Sequence, residues 1–477
     1  MRKKSLYVLN GRATGAKALV KNKTAHVLSA SNHWSVTENN KNNTWNVYFN
    51  NGNTNNNNKY LSCVGRALAA LGTEELISWI EAADDCCRNK KTSRQCTLFR
   101  LHQEEVLPML AVVVKDRTYL PQASECFIVL FPKLREIFAA HFLDRVVQHW
   151  ITLRIEPLLE ELFISTGDVS FNCRKGYGTL RAIRKFASDV EEVTCGWAMD
   201  AHIGRYDILS FFMSINKNRL WGMLETFIKE RYHGDDKDTL LWLSEITVKH
   251  RPQDNCIRKG DLSLWYRLPS HKSLFTMDGM AIGNITSQLL ANFFLNPFDA
   301  WAVKWCMEHG GRYCRFVDDM VIILPRKEDV VVFSMEARIF LEQELGLTLH
   351  ADKVYIQHAS KGVKFIGAVI KPGRTYLSNR TVGRMVDMLR NFERTCASVP
   401  RKGADINLCR KLEQGVSSCN SYMGFLIHHA TYGLRRRVYG EMKSFWRVAF
   451  ASKGFGHIVL RKKFKLKTKD YGNKIFK

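Results

Sequence analysis

Arg315-Phe316-Val317-Asp318-Asp319-Met320-Val321-Ile322-Ile323-Leu324 places two adjacent carboxylates inside an apolar, β-branched run. Such a run reads as a buried strand, with the acid pair at a hairpin tip. Two acids there repel one another, and desolvation penalises both charges until a cation neutralises them. Upstream, Tyr206-Asp207-Ile208-Leu209-Ser210-Phe211-Phe212-Met213-Ser214-Ile215 brings a third carboxylate into the same setting, on a strand that runs into a short turn. Three acids from two strands suit hard divalent cations, which take oxygen ligands. Two such ions roughly 3.5–4 Å apart serve phosphoryl transfer, one activating the attacking hydroxyl and the other holding the leaving phosphates. An isolated Asp-Asp pair is ordinary turn punctuation. The segments around this one decide between the readings.

Between the acid strands lies Gly279-Met280-Ala281-Ile282-Gly283-Asn284-Ile285-Thr286-Ser287-Gln288-Leu289-Leu290-Ala291-Asn292-Phe293-Phe294-Leu295-Asn296, a Gly-containing turn feeding a helix of apolar spacing. Small residues at a helix start let the backbone approach a ligand, and the helix N-terminus favours negative charge. Downstream follows Gly362-Val363-Lys364-Phe365-Ile366-Gly367. In this order, acid strand, Gly-Asn-x-x-Ser-Gln helix, Asp-Asp hairpin and Gly-bounded turn resemble the palm and primer-grip motifs of reverse transcriptases. Pro132 to Ala140, Asp144-Arg145-Val146-Val147 and Arg174-Lys175-Gly176-Tyr177-Gly178-Thr179 resemble the finger motifs, so the likeness covers roughly residues 75 to 430. Within the family, Gly-Asn-x-x-Ser-Gln is most similar to the enzymes of diversity-generating retroelements. Those enzymes copy a template-repeat RNA into cDNA with errors concentrated at adenines, and the cDNA replaces a variable repeat in a target gene.

The resemblance implies an α+β right-hand polymerase: fingers, a palm with an antiparallel sheet backed by helices, and a helical thumb. It implies Asp207 and Asp318 as metal-bridging acids, the Ile208 carbonyl as a further oxygen ligand and Asp319 as the less direct third acid. The cofactors would be two Mg²⁺, with Mn²⁺ suited to the same oxygen-rich site. Phe212 falls where the family places an aromatic gate against a ribose 2′-hydroxyl; the alternative is a plain core Phe. Arg174 and Lys175 match finger residues that hold the triphosphate, Arg being suited by its forked donors, with solvated charge as the alternative and Lys133 a further candidate. Ile282 and Gly283 would touch the nucleotide. Asn284, Ser287, Gln288, Phe316, Gly362, Phe365 and Gly367 would meet template or primer. Lys353 resembles a lysine that protonates the pyrophosphate leaving group, or is a surface lysine. Two departures stand out. Phe316 replaces the Tyr of many relatives, and Ile282 replaces the Gln of accurate retroviral enzymes, which leads us to expect looser base contact and misincorporation.

The leader has its own signature. His33-Trp34-Ser35-Val36-Thr37-Glu38, Trp45-Asn46-Val47-Tyr48-Phe49-Asn50-Asn51-Gly52-Asn53-Thr54, Asn55 to Asn58 and Lys59 to Arg66 resemble the variable region of the lectin-like proteins that such elements diversify. Asparagine codons begin with two adenines, so an Asn-rich stretch is what a translated template repeat would look like. A polar low-complexity linker is the alternative, against which stand Trp34, Trp45, Tyr48 and Phe49.

With 71 Lys and Arg against 46 Asp and Glu, the 477-residue chain carries a net charge of +25, as expected of a protein that neutralises nucleic-acid phosphates. A non-catalytic RNA-binding protein would show the same excess, so charge indicates the partner class only. The thirteen cysteines include no Cys-x-x-Cys and no zinc spacing, which points to reduced thiols and a bacterial or phage-infected cytoplasm. No apolar run reaches the length of a membrane span. We expect four parts: a leader over 1–72, poorly ordered or a repeat-like segment; fingers over 73–204; palm over 205–372, with a helical insertion from Leu220 to His250; and thumb plus basic tail over 373–477. The tail Arg461 to Lys469 is a phosphate-binding strand or a solvated end. Template RNA, cDNA, dNTPs and a small basic accessory protein oligomer are the expected partners. The competing readings are a reverse transcriptase of phage defence or of a mobile group II-like element, and a binding protein without catalysis.

Overall fold

The computed structural model describes residues 73–466 apart from 89, 91, 92, 131, 132, 401 and 402, and before them the backbone of four strands. Those strands, β1 (Leu19–Lys21), β2 (Thr24–Leu28), β3 (His33–Asn39) and β4 (Thr44–Asn50), pair antiparallel in sequential order, with Trp34 opposite Phe49 and Glu38 opposite Trp45. The asparagine run 55–58, Pro132 and Lys467 to Lys469 lie outside the described residues.

The first helices, α1 (Thr73–Cys87) and α2 (Arg94–Lys115), close a core with α3 (Phe142–Ser165), in which the Trp79 ring stacks on Trp150 at 5.1 Å. Along α1 the apolar residues Trp79, Ala82, Ala83 and Cys86 recur at helical spacing and turn inward. Between α2 and α3 runs a hairpin of β5 (Ser124–Val129) and β6 (Arg135–Ala139). Helix α4 (Thr179–Val193) follows, laying Ala182, Ile183, Phe186 and Val190 inward at helical spacing.

The palm opens with β7 (His202–Asp207), which ends in the single turn α5 (Phe211–Ser214). Helices α6 (Lys217–Arg231) and α7 (Lys237–Lys249) fill the expected insertion, and β8 (Cys256–Lys259) leaves the palm to pair parallel with β5. Helix α8 (Ile285–Glu308) is buried along most of its length, which its nearly all-round apolar sequence requires. Strands β9 (Arg312–Phe316) and β10 (Asp319–Leu324) form the acid hairpin, α9 (Lys327–Leu345) packs beneath the sheet, and β11 (Tyr355–His358) completes the antiparallel order β11-β7-β10-β9.

A smaller sheet of β12 (Val363–Phe365), β13 (Ala368–Lys371) and β14 (Arg374–Leu377) follows, turned at Pro372-Gly373 as those residue types predict. Its last strand thus lies beyond the expected palm limit at 372. The rest is helical, with α10 (Asn379–Ala397), α11 (Ile406–Leu426) and α12 (Tyr432–Glu441) enclosing a separate apolar core around Leu389, Phe392, Leu412 and Tyr439. This is an α+β architecture of the right-hand polymerase kind. All twelve described cysteines are free thiols. Among the described residues, no helix is long and apolar enough to cross a membrane.

Candidate active site

Strand register brings the three acids together. Asp319 stands opposite Asp207 across β10 and β7 and opposite Phe316 across the hairpin, so Val317 and Asp318 are its two loop residues. The favoured two-residue hairpin turns take positive φ at the first central position, or at both. Val317 takes that place at φ 60°. For a β-branched residue this conformation costs on the order of 1–3 kcal/mol and persists only where the surroundings impose it. Partial burial, then the neighbouring charges of Asp207 and Asp319, push the Asp318 carboxyl up to about 6. Asp319 is also raised, by burial foremost, while Arg205 at 3.8 Å opposes the shift.

Lys353 donates to Asp207 Oδ2, so the residue picked by motif does stand at the acid site. The carboxylates are thus held by two protein cations, and among the described residues no three Asp, Glu, His or Cys side chains form a ready cage for a metal. The donor chemistry nevertheless fits hard divalent ions. Three carboxylates lie close enough to raise Asp318 by mutual repulsion, a strain that a bound cation relieves. The Ile208 carbonyl takes no part in the bonds that flank it, which run from His350 N–H to the Asp207 carbonyl and from Leu209 N–H to the Thr348 carbonyl.

The surroundings that impose Val317 centre on Arg315, a residue that sequence reading passed over. Its side chain is 0% exposed. The guanidinium donates to Asp299 Oδ1 at 2.7 Å and Oδ2 at 2.5 Å, to Asn292 Oδ1 at 3.0 Å and to the Val317 carbonyl at 3.0 Å. A buried charge is tolerated only when paired and fully hydrogen-bonded, and here the pairing ties helix α8 to the apex of the acid hairpin. The available signal was an arginine inside an otherwise apolar strand.

Arg174 requires a correction. Its side chain is 1% exposed and reaches Glu160 at 2.6 Å, Asp168 at 2.8 Å and the Ser170 carbonyl at 2.7 Å. A fork so engaged holds the chain together rather than a triphosphate. Lys175 is exposed and ion-paired with Glu156. Lys133, in contrast, lies near enough to the acids to oppose the rise at both Asp318 and Asp319.

The Gly283 turn is docked on the fingers. Phe138 N–H donates to the Ile282 carbonyl at 3.0 Å, and Ala140 N–H to Asn284 Oδ1 at 3.4 Å. Gly283 has φ 126°, and a Cβ there would meet the Phe138 carbonyl oxygen at 2.9 Å. Close packing on β6 therefore demands a glycine here whatever else approaches it. Ser287 is buried, contrary to a template-contacting role, whereas Gln288 is exposed and accepts from Cys173 Sγ at 3.3 Å. Phe212 is partly buried, with its carbonyl accepting from Met280 N–H at 2.7 Å.

Phe365 is likewise a core residue, tilted against Phe186 at 5.5 Å between centroids; no primer contact is left to its ring. Gly362 and Gly367 bound its strand at φ 91° and 92°. Phe316 is half-buried on β9 directly opposite Asp319.

Comparison with known proteins agrees with this geometry. The profile of the reverse transcriptase (RNA-dependent DNA polymerase) family matches residues 132–370, half of the chain. Protein YkfC of Escherichia coli is 24% identical over 309 residues, covering 58% of this chain and 72% of its own length. The group II intron-encoded protein LtrA of Lactococcus lactis is 20% identical over 356 residues, covering 60% of this chain; the match spans about half, 54%, of LtrA. Among solved structures, apo telomerase from Candida tropicalis, truncated from its C-terminal domain, superposes at a TM-score of 0.39 with 14% identity, over 54% of this chain and 56% of that one. With the family profile spanning finger strand, both acid strands and the β12–β13 hairpin, the chain belongs to the reverse transcriptase family.

Proposed function

We propose that this protein is an RNA-directed DNA polymerase that adds deoxynucleotides with two divalent metal ions, Mg²⁺ or Mn²⁺. The observation that carries the reading is the register of Asp319 on Asp207 with Asp318 at the adjoining apex. Bound cations would supply Lewis-acid activation of a primer hydroxyl and neutralise the triphosphate. Asp207, Asp318 and the Ile208 carbonyl hold them, and Asp319 balances charge with Arg205. Lys133 meets the triphosphate, Phe212 limits the space at the sugar, and Lys353 delivers a proton to the leaving pyrophosphate. Asn284, Gln288 and Phe316 line the way to template and primer.

Its biological task, on this reading, is cDNA synthesis from a template-repeat RNA, with errors at adenine, for targeted gene diversification. Supporting it are the Gly283-Asn284-x-x-Ser287-Gln288 motif, Ile282 in place of Gln, and the Asn-rich leader. A small basic accessory oligomer belongs to this reading; exposed Val331, Met335 and Ile339 on α9, which stand among both acids (Glu328, Glu336, Glu342) and cations (Arg326, Lys327, Arg338), are one apolar stripe open to a partner. The similarity to LtrA favours a second reading, a reverse transcriptase of a mobile group II-like element or a related defence system.

Sequencing cDNA made on the RNA encoded beside the gene separates the two. Errors clustered opposite adenines, reduced by Ile282→Gln, support diversification. Faithful cDNA moves the role to mobility or defence. Absence of any magnesium-dependent product, with Asp318→Ala as control, overturns the polymerase reading.

A further inference from the structure

The segment from Cys256 to Lys272 leaves the palm, runs along the fingers and returns without joining the catalytic sheet. Strand β8 sits at the edge of the finger sheet, parallel to β5, with Cys256 opposite Ser124. Its inner side is firmly built. Fully buried Glu136 accepts from Trp265 Nε1 at 2.9 Å, Ser273 Oγ at 3.0 Å and Leu274 N–H at 2.8 Å. The Arg258 guanidinium lies over the Phe275 ring at 4.0 Å.

The outer side is bare. Tyr266 is 93% exposed, and Ile257 and Leu262 are exposed with it. Beside them stand exposed Arg267 and Lys272, with Asp261 the acid of the segment, while Lys259 is engaged by Glu125 at 2.6 Å. An aromatic face among cations is what unpaired nucleic acid requires, since bases stack on the ring while phosphates meet the charges. A duplex has no free base faces to offer Tyr266. Protein interfaces share the tyrosine and arginine but deplete lysine, so the exposed Lys272 favours nucleic acid over a protein partner.

Position indicates which strand. Strand β5 leads into the hairpin tip that carries Lys133, whose charge reaches Asp318, so the surface lies along the same fingers that overhang the acids.

We propose that the Cys256–Lys272 segment binds the unpaired RNA template ahead of the catalytic site, Tyr266 stacking on a base and Arg267 and Lys272 meeting phosphates. This rests on the polymerase reading given above. The test uses the full chain on primed RNA templates that differ only in their unpaired 5′ extension, one nucleotide against about 10, within the usual range of single-strand site sizes. Tyr266→Ala is expected to raise the half-saturating concentration of the long template about 5- to 100-fold and leave the short one unchanged. Arg267→Gln with Lys272→Gln is expected to flatten the salt dependence of long-template binding by roughly 0.7 in log–log slope per cation removed. Equal losses on both templates, or no loss on either, overturn the proposal. If the wild type extends neither template, the polymerase reading fails on its own. Anisotropy of a labelled single strand of about 10 nucleotides then decides the surface, and unchanged affinity of Tyr266→Ala would reject it.

Discussion

Arg315 and Asp299 form a fully buried ion pair in which the same guanidinium holds the Val317 carbonyl, so one charge serves both the palm core and the apex of the acid hairpin. Removing either partner alone should cost about 3–5 kcal/mol, because the other charge is left buried and unpaired. Replacing both, Arg315→Met with Asp299→Leu, should recover much of the thermal stability while nucleotide addition stays at least about 10-fold below wild type. Recovery of activity together with stability would show that the pair only supports the fold.

Asp207→Ala and Asp318→Ala should each lower nucleotide addition on the order of 10,000-fold, the scale for loss of a group acting in the transition state. Template affinity, measured by filter binding, should stay within about threefold, since phosphate contacts elsewhere carry it. A comparable loss of binding would contradict this division.

Asp318 should set a lower pH limit. Its folded-state carboxyl titrates at about 6 instead of the ordinary 3.8. A raised acid contributes stability below its unfolded value and loses it as pH rises through the folded one. In EDTA, therefore, thermal stability should decline between about pH 4 and pH 6, and Asp318→Asn should flatten that decline. The apparent affinity for Mg²⁺ should move oppositely, weakening as pH falls through about 6, because the cation needs the carboxylate.

Phe212→Ala should admit ribonucleotides, lowering discrimination between dNTP and rNTP about 10- to 100-fold in kcat/KM. If Phe212 is only a core residue, both substrates will suffer alike.

Gly283→Ala should destabilise the protein by about 1–3 kcal/mol, since its φ of 126° and the Phe138 carbonyl at 2.9 Å both resist a Cβ. Chemical denaturation measures it. An unchanged midpoint would mean that the fingers yield.

What could be read directly from the chain were features whose cause is local. Asp207, Asp318 and Asp319 were legible as neighbours because acids stand out against β-branched strands, and the start of α8 because a Gly-containing turn runs there into apolar residues at helical spacing. Arg174 misled because a forked cation suits phosphate and carboxylate alike, and nothing nearby in sequence announces that Glu160 and Asp168 have claimed it. Ser287 and Phe365 misled because a motif position does not reveal which way a side chain turns. Arg315 was silent for a related reason: Asp299 and Asn292 lie on a separate helix, and only the packing of α8 beneath β9 makes them partners.

The bond from Phe138 N–H to the Ile282 carbonyl carries a mechanical consequence. It fastens the base of the finger hairpin to the turn at the head of α8, so a swing of the whole finger module away from the palm has to break it, at a net cost of about 1 kcal/mol. The tip between β5 and β6, where Lys133 resides, lies beyond this tether. On the proposed polymerase reading, the cation that meets the triphosphate then rides on a tip whose base is tied to residue 282 itself.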